Sequence, residues 1–324
     1  MQSEKSLFLN FYEELLEAEA PGLPSIAHQY LSESVEWHGP HPINTLCGHQ
    51  DIVEKLWIPM AEAFSALERR NDILMCGNYQ GNTWVSAIGH YRGRFEKDWL
   101  SIPATGRQTP IRFGEFARIE NGMIQEFRVL FDLVALCRHG GIELLPPDAG
   151  SSAGVPAPAT GDGVMTEPKS PASGEASLRL IEEMIDGLME FDGHDLNSMR
   201  MERFWTRDMR WYGPAGIGTT QGLDGFQKNH QDPFLEAFPD RYAAPHAALF
   251  AEGDYVCVTG WPSVVGTHKG RYLGYPATGK QVEMRVMDFW RNEQGLLAEN
   301  WVLIDMLDLF LQFGYDLLGD LAGN

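Results

Sequence analysis

Asp305 lies within an apolar run, residues 301–307, that is typical of a strand end. Burial of a carboxylate without a cation raises its pKa, which suits general acid/base chemistry near neutral pH. Such a group could remove a proton next to a carbonyl and return one to the new alkoxide. The alternative is structural, because an Asp placed before Met306 is well suited to capping the helix that follows.

Other polar side chains could share this chemistry. His268 could orient Asp305 or share its proton, because the pKa of histidine lies near neutrality. The alternative for His268 is a half-exposed strand histidine. Tyr212 and His38 hold the same position in two related motifs, WYGP and WHGP. Either could hydrogen-bond a substrate oxygen, and either could simply pack beside a turn.

Tryptophans lie close to these polar residues in the sequence. Such side chains more often build a core than contact a ligand, yet a flat polycyclic substrate would need walls of this kind. The four concerned are Trp37, Trp211, Trp290 and Trp301.

A metal site is not expected. His38, His41 and His49 are irregularly spaced and have no histidine counterparts in the second half of the chain, so we interpret them as part of a solvated loop. The sequence contains no phosphate-binding glycine loop, GxSxG or HExxH motif. We therefore expect neither a metal nor a cofactor.

The residues that could do chemistry occur in pairs, because the chain contains an internal duplication. Residues 37–40 match 211–214 at an offset of 174, and residues 103–106 match 276–279 at an offset of 173. The second offset then holds without a gap to the end of the repeat. A period of this length is too long for a solenoid and indicates a duplicated domain.

A segment rich in Pro, Gly, Ala and Ser, residues 146–174, separates copy one (1–145) from copy two (175–324). Its composition predicts a semi-extended linker with little to bury. Each copy begins with apolar residues at helical spacing, at 6–19 and 178–191, and continues into β-rich segments. The pattern predicts an α+β domain with N-terminal helices and a long antiparallel sheet.

The final hairpin of copy two can be put in register from its turn, Gln294-Gly295. Counted from that turn, Asp288 lies opposite Trp301. Alternation along the strands then places both on one face with Trp290 and Asp305. This face mixes aromatic and acidic side chains, as a ligand pocket does.

The opposite face of that hairpin carries Arg285, Val302 and Ile304 and is too apolar in its middle for a solvated surface. We expect the other copy or a second subunit to cover it. In copy one the same count places Glu115 opposite Arg128, and such a pair would fill the pocket of that copy.

Several motifs together resemble the SnoaL-like polyketide cyclase family of the NTF2-like superfamily. They are WYGP at 211–214, FPD at 238–240, GTHKG at 266–270, PATGK at 276–280, ENW at 299–301, Asp305, Leu309 and QFG at 312–314. The resemblance covers nearly all of both copies and is clearer in copy two. Copy one departs from it at 93–98 and ends in CRHGG at 137–141.

The resemblance implies two tandem cone-shaped NTF2-like domains of the α+β class, each with N-terminal helices packed on a curved antiparallel sheet. It also implies a cofactor-free enzyme that closes a ring by intramolecular aldol condensation, with Asp305 as acid/base and Asp132 as its counterpart. The expected catalytic residues are thus Asp305, His268 and Asp132. The expected substrate-binding residues are Trp301, Tyr212, Trp211, Asp288, Trp290, His38 and Trp37.

Two functions are consistent with these observations. The first is an acid/base enzyme acting on a small hydrophobic carbonyl compound, by aldol-type cyclisation, isomerisation or dehydration, with copy two as the better candidate for the site. The second is a non-catalytic ligand-binding or scaffold protein built as a covalent pseudo-dimer. Homo-oligomerisation is left open.

Composition narrows the partners and the location. The chain has 324 residues and a net charge of −20, so nucleic acids and anionic membranes are poor partners. No apolar run is long enough to span a bilayer, and residues 1–10 do not read as a signal peptide. We expect a cytoplasmic protein whose four cysteines are buried thiols.

Overall fold

A computed structural model describes residues 1–167 and 169–322 of the chain. These residues form two compact units. The first comprises residues 1–144 with 160–167 and 316–322, and the second comprises residues 145–159 with 169–315. Each unit combines helices with one open sheet, so the α+β class predicted from the sequence is confirmed.

The first unit has helices before the first strand, between the second and third strands, and after the last strand. They are α1 (Gln2–Glu17), α2 (Leu23–Tyr30), a third helix made of α3 (Gly48–Ile52), a π-helical turn (Val53–Trp57) and α4 (Ile58–Ala63), and the closing α5 (Leu133–His139). The strands are β1 (Leu31–His38), β2 (Thr45–Cys47), β3 (Phe64–Tyr79), β4 (Asn82–Phe95), β5 (Gln108–Glu120) and β6 (Met123–Phe131). They are ordered β2-β1-β6-β5-β4-β3, with β1 parallel to β6 and the other neighbours antiparallel.

The second unit repeats this plan. Its helical segments are α6 (Pro171–Leu188), two 3-10 turns (Leu196–Met199 and Met201–Arg203), α7 (Gly222–Phe226), a π-helical turn (Gln227–Gln231), α8 (Asp232–Ala237) and α9 (Met306–Phe313). Its strands are β7 (Trp205–Tyr212), β8 (Thr219–Gln221), β9 (Tyr242–Ala243), β10 (Ala248–Glu252), β11 (Tyr255–Thr267), β12 (Gln281–Glu293) and β13 (Leu296–Ile304). The order is β10-β11-β12-β13-β7-β8, with β9 beside β11, and a short α10 (Gly319–Ala322) belongs to the first unit.

The WxGP motif marks the end of the first long strand in each unit. A Cβ on Gly213 would lie 2.0 Å from Cζ3 of Trp211, and one on Gly39 would lie 1.8 Å from Cζ3 of Trp37. Each indole therefore folds back over the glycine that follows it, a close approach that only a residue without a side chain permits.

The linker is attached to the units rather than free. Residues 145–159 pack on the second unit, where the amide of Gly216 donates to the carboxylate of Asp148 at 2.7 Å and Ser151 pairs with Thr219. The expectation of a segment with little to bury was wrong, because Met165 is buried and α6 already begins within the predicted linker, at Pro171.

The final hairpin of the second unit contains a β-bulge. Pairing next to the turn is as predicted, but Ala298 has no partner across the hairpin, so Asp288 lies opposite Val302 and not Trp301. Because side chains alternate along a strand, one extra residue exchanges the two faces of every residue beyond it. The predicted assignment of faces along β13 was therefore wrong.

The final hairpin of the first unit also contains a β-bulge, where Gln125 has no partner across the hairpin. Glu115 lies opposite Val129 rather than Arg128, so the predicted Glu115–Arg128 pair does not form. Instead Arg128 pairs with Glu126 at 2.7 Å.

Cys47 is exposed, so the prediction of four buried thiols holds only for Cys76, Cys137 and Cys257. All four are free thiols. Within the described ranges, no helix is both long and apolar enough to cross a membrane.

Candidate active site

The second unit contains a partly open cavity of about 220 Å³ between α6, the third helix (α7, the π-helical turn and α8) and the sheet. Its walls are mostly apolar or aromatic. These walls include Met184, Trp205, Trp211, Phe226, Phe234, Trp290, Val302 and Ile304. The prediction that the other copy or a second subunit covers Val302 and Ile304 was wrong, because these side chains face this cavity after the bulge.

A smaller chamber of about 150 Å³ adjoins this cavity. The two share seven lining residues, Leu188, Met189, Phe226, His230, Phe234, Ala243 and Val264. The smaller chamber adds the polar side chains of Gln231 and Arg241.

Asp288 on β12 supplies the carboxylate of the main cavity. Among the residues described as its lining, no other is acidic. The amide Nδ2 of Asn300 donates to Asp288 Oδ1 at 3.2 Å, and no basic side chain in the described part of the chain pairs with the carboxylate. Burial among apolar groups raises the pKa of Asp288 to about 7, and the hydrogen bond from Asn300 opposes that shift.

Asn300 is itself held in place. Its Nδ2 also donates to the backbone carbonyl of Phe289 at 3.1 Å, which fixes the amide on the cavity side of the hairpin. Asn300 reaches Asp288 only because the bulge at Ala298 turns it to that face. The amide thus positions the carboxylate without neutralising it.

His230 lies in the π-helical turn of the third helix and lines both chambers. Its ring stacks on Trp211 with centroids 4.3 Å apart. Burial lowers the pKa of His230 to about 3, so the imidazole is neutral at neutral pH. Its Nδ1 is buried without a partner among the described residues. A neutral imidazole carries one N–H, which can donate to a ligand oxygen.

Two predicted substrate-binding residues lie away from the cavity and hold the linker. Trp301 Nε1 donates to the carbonyl of Pro156 at 2.9 Å. The ring of Tyr212 stacks on Trp301, and its hydroxyl donates to Glu299 at 3.2 Å. Glu299 also accepts from the amide of Ala159.

Asp305 caps the closing helix. Its Oδ1 accepts from the amide of Asp308 at 3.2 Å, and its Oδ2 accepts from Nη1 of Arg285 at 3.1 Å. Arg285 was expected on the opposite face, and the bulge explains why that was wrong. Asp305 does not line the cavity. Its acid/base role stays a prediction, and its surroundings favour the capping alternative.

His268 is fully buried outside the cavity lining. Its ring stacks on Phe313 with centroids 3.9 Å apart, and its Nδ1 lies 3.2 Å from the hydroxyl of Thr278. Burial lowers the pKa of His268. His268 is therefore not the half-exposed strand histidine of the alternative interpretation, which was wrong. The catalytic role of His268 stays a prediction.

The predicted residues of copy one lie in the first unit. Asp132 caps α5 by accepting from the amide of Ala135 at 3.0 Å. Trp37 is part of the core. His38 is half-buried, with its Nδ1 3.3 Å from the Thr45 hydroxyl, and burial lowers its pKa.

The first unit carries different residues where the second has its polar cavity groups. At the repeat offsets, Asp288 corresponds to Glu115, Asn300 to Phe127 and His230 to Leu56. Glu115 is buried and accepts from Nη2 of Arg69 at 2.7 Å. The carboxylate at this position of the first unit is thus neutralised by a buried ion pair.

The sequence pointed to part of this site. Three residues predicted to bind substrate, Trp211, Asp288 and Trp290, line the cavity. Asn300, His230 and Arg241 were missed. The signal for His230 and Asn300 was available in the repeat, since each stands where copy one has an apolar residue, Leu56 and Phe127.

The fold and the cavity define a class. Each unit is an NTF2-like α+β domain, and the second holds a largely apolar cavity with one carboxylate among its described lining residues. Within the described ranges, no group of three His, Cys, Asp or Glu side chains is placed to hold a metal ion. The chain belongs to the SnoaL-like polyketide cyclase family, whose model matches residues 6–139 and 183–313.

Solved structures are similar to single repeats of the chain. A candidate SnoaL-like polyketide cyclase from Jannaschia sp. CCS1 is 18% identical over 45% of this chain and 96% of its own, with a TM-score of 0.39. IdmH, a candidate polyketide cyclase from Streptomyces antibioticus, is 21% identical over 43% and 99%, with a TM-score of 0.34. AclR, a candidate hydroxylase from Streptomyces galilaeus, is 24% identical over 43% and 82%, with a TM-score of 0.35. A comparison with curated proteins gave no match.

Proposed function

We propose that the second repeat is a cofactor-independent acid/base enzyme acting on a small hydrophobic carbonyl compound, with Asp288 as its base. One observation carries this proposal: a lone carboxylate with a pKa of about 7 at the wall of an apolar cavity. At neutral pH such a group is divided between its two protonation states, so it can both accept and return a proton.

The reaction begins with removal of a proton from carbon next to the carbonyl. Asp288 takes the proton, and the electron pair of the C–H bond moves to the carbonyl oxygen to form an enolate. The neutral imidazole of His230 donates its N–H to that oxygen as the negative charge grows. A neutral donor suits this step, because it stabilises the enolate without neutralising Asp288.

Return of the proton decides the product. After attack of the enolate on a second carbonyl, protonated Asp288 gives its proton to the new alkoxide and a ring closes. Return to a different carbon gives an isomer, and return to a leaving hydroxyl gives dehydration. All three use the same two groups, and the substrate's own shape selects among them.

The aromatic walls fit a flat substrate. The indoles of Trp205, Trp211 and Trp290 line the cavity, and rings of this size bind planar hydrophobic molecules through stacking and burial. The first repeat serves as a non-catalytic partner in this proposal, since Arg69 neutralises the carboxylate that corresponds to Asp288.

Exchange of carbon-bound protons with solvent tests the proposal without the natural substrate. 1-Tetralone, a flat aromatic ketone, is incubated with the protein in D₂O, and deuterium uptake next to the carbonyl is followed by NMR. We expect catalysed uptake by the wild type, its loss in Asp288→Asn, and its retention in Asp305→Asn. Equal rates for the wild type and Asp288→Asn would refute Asp288 as the base.

A further inference from the structure

The smaller chamber contains an arginine without an acidic partner. Arg241 lies between α8 and β9, and its Nη2 donates to the backbone carbonyl of Leu188 at 3.1 Å. Its guanidinium lies 5.8 Å from the ring centroid of Phe191. No carboxylate in the described part of the chain pairs with it.

This arrangement is unusual for a protein so rich in acid. The chain has 45 acidic and 25 basic residues, and the buried Arg291 of the same unit pairs with Glu299 at 2.5 Å. Arg241 is half-buried, and a cation partly removed from water without a counter-charge is destabilised, so burial lowers the pKa of Arg241. The remaining N–H donors of the guanidinium fork match the two oxygens of a carboxylate.

We infer that Arg241 binds a carboxylate of the substrate, so that the second repeat acts on hydrophobic keto acids. The reacting carbonyl end would lie at Asp288 in the larger chamber and the carboxylate in the smaller one. The seven shared lining residues allow one molecule to occupy both chambers. The first repeat has Leu67 at the position of Arg241, so the cation belongs to the second repeat alone.

The placement of the reacting carbonyl at Asp288 rests on the proposed function, whereas carboxylate binding by Arg241 does not. A matched pair of probes separates them: 3-benzoylpropanoate and its primary amide, which differ in charge at one end only. Affinities are measured by titration calorimetry at fixed ionic strength. We expect the wild type to bind the acid about tenfold more tightly than the amide, the range of a charge-assisted hydrogen bond.

Variants assign that preference to one side chain. Arg241→Met should bind acid and amide equally, with unchanged affinity for the amide showing that the cavity is intact. Arg241→Lys should keep part of the preference, because it keeps the charge. Arg271→Met is the matched control: Arg271 also donates to a backbone carbonyl, at 2.6 Å, but lies outside both chambers, so the preference should be unchanged.

The outcomes are decisive. Equal binding of the two probes by the wild type, binding of neither, or a preference that survives Arg241→Met overturns the inference. Asp288→Asn should end deuterium exchange yet keep the preference for the acid. If the wild type catalyses no exchange but still prefers the acid, the proposed function is refuted and carboxylate binding by Arg241 stands.

Discussion

Arg69 donates to the carboxylate of Glu115 at 2.7 Å, at the position where the second repeat carries the unpaired carboxylate of Asp288. The guanidinium also lies 3.7 Å from the ring centroid of Tyr12 and 4.0 Å from that of Phe113. The hydroxyl of Tyr12 donates to the same carboxylate. One acidic position in a duplicated fold thus has opposite environments, ion-paired in the first repeat and without a cation in the second.

Removing Arg69 alone should destabilise the first unit strongly. Arg69→Met leaves a buried charge on Glu115, and breaking a buried pair in this way costs about 3–5 kcal/mol of unfolding free energy. The double variant Arg69→Met/Glu115→Gln should recover most of that loss, because neither charge remains. Urea denaturation measures both, and a double variant as unstable as the single one would contradict this account.

The pH profile of deuterium exchange should report Asp288. The base must be ionised, so the rate should rise with pH and level off above about 7. His230 has a pKa of about 3, so it adds no second inflection to the pH–rate profile in this range. A rate that is flat between pH 5 and 9, or that falls through pH 7, would exclude Asp288 as the rate-determining base.

Asp288 should also reduce stability at high pH. Its pKa of about 7 in the folded protein exceeds the ordinary value of 3.8, so folding favours the protonated form. Stability from this group is present below pH 4 and is lost as pH rises through 7. Asp288→Asn should therefore be more stable than the wild type at pH 8, by at most about 4 kcal/mol, and similar to it at pH 4. Denaturation at the two pH values checks the sign.

Asp305 and Asp132 should behave alike, as helix caps. Loss of a capping side chain costs about 1 kcal/mol. We expect Asp305→Ala and Asp132→Ala to lower unfolding free energy by similar amounts and to leave the exchange rate near that of the wild type. A large loss of exchange in Asp305→Ala alone, with the protein still folded, would instead support the catalytic role predicted from the sequence.

Trp301 should act on the linker rather than on the substrate. Trp301→Phe removes the donor to Pro156 but keeps an aromatic ring against Tyr212. Residues 145–159 should then be cleaved faster by a broad-specificity protease. Trp205→Phe is the control, because Trp205 lines the cavity and its Nε1 has no hydrogen-bond partner among the described residues. Unchanged cleavage in Trp301→Phe would show that this hydrogen bond does not hold the linker.

Much of the fold followed from local patterns in the sequence. The constant offset indicated the duplication, apolar periodicity indicated the helices, and Asn121-Gly122 and Gln294-Gly295 marked turns that the structure contains at positive φ. The helix and turn signals depend on residues close together in the chain, and the duplication appears when the chain is compared with itself, so one sequence suffices to find all three.

The contents of the site depended on tertiary structure. A bulge at Ala298 adds one residue and has no sequence signature of its own, yet it moves Asn300 to the cavity and Trp301 away from it. Arg69 reaches Glu115 across 46 residues, and His230 meets the sheet only after the third helix packs on it. The sequence by itself determined two α+β domains with capped closing helices. Only the tertiary structure decided which carboxylate lacks a cation, because burial and pairing arise from distant residues brought together.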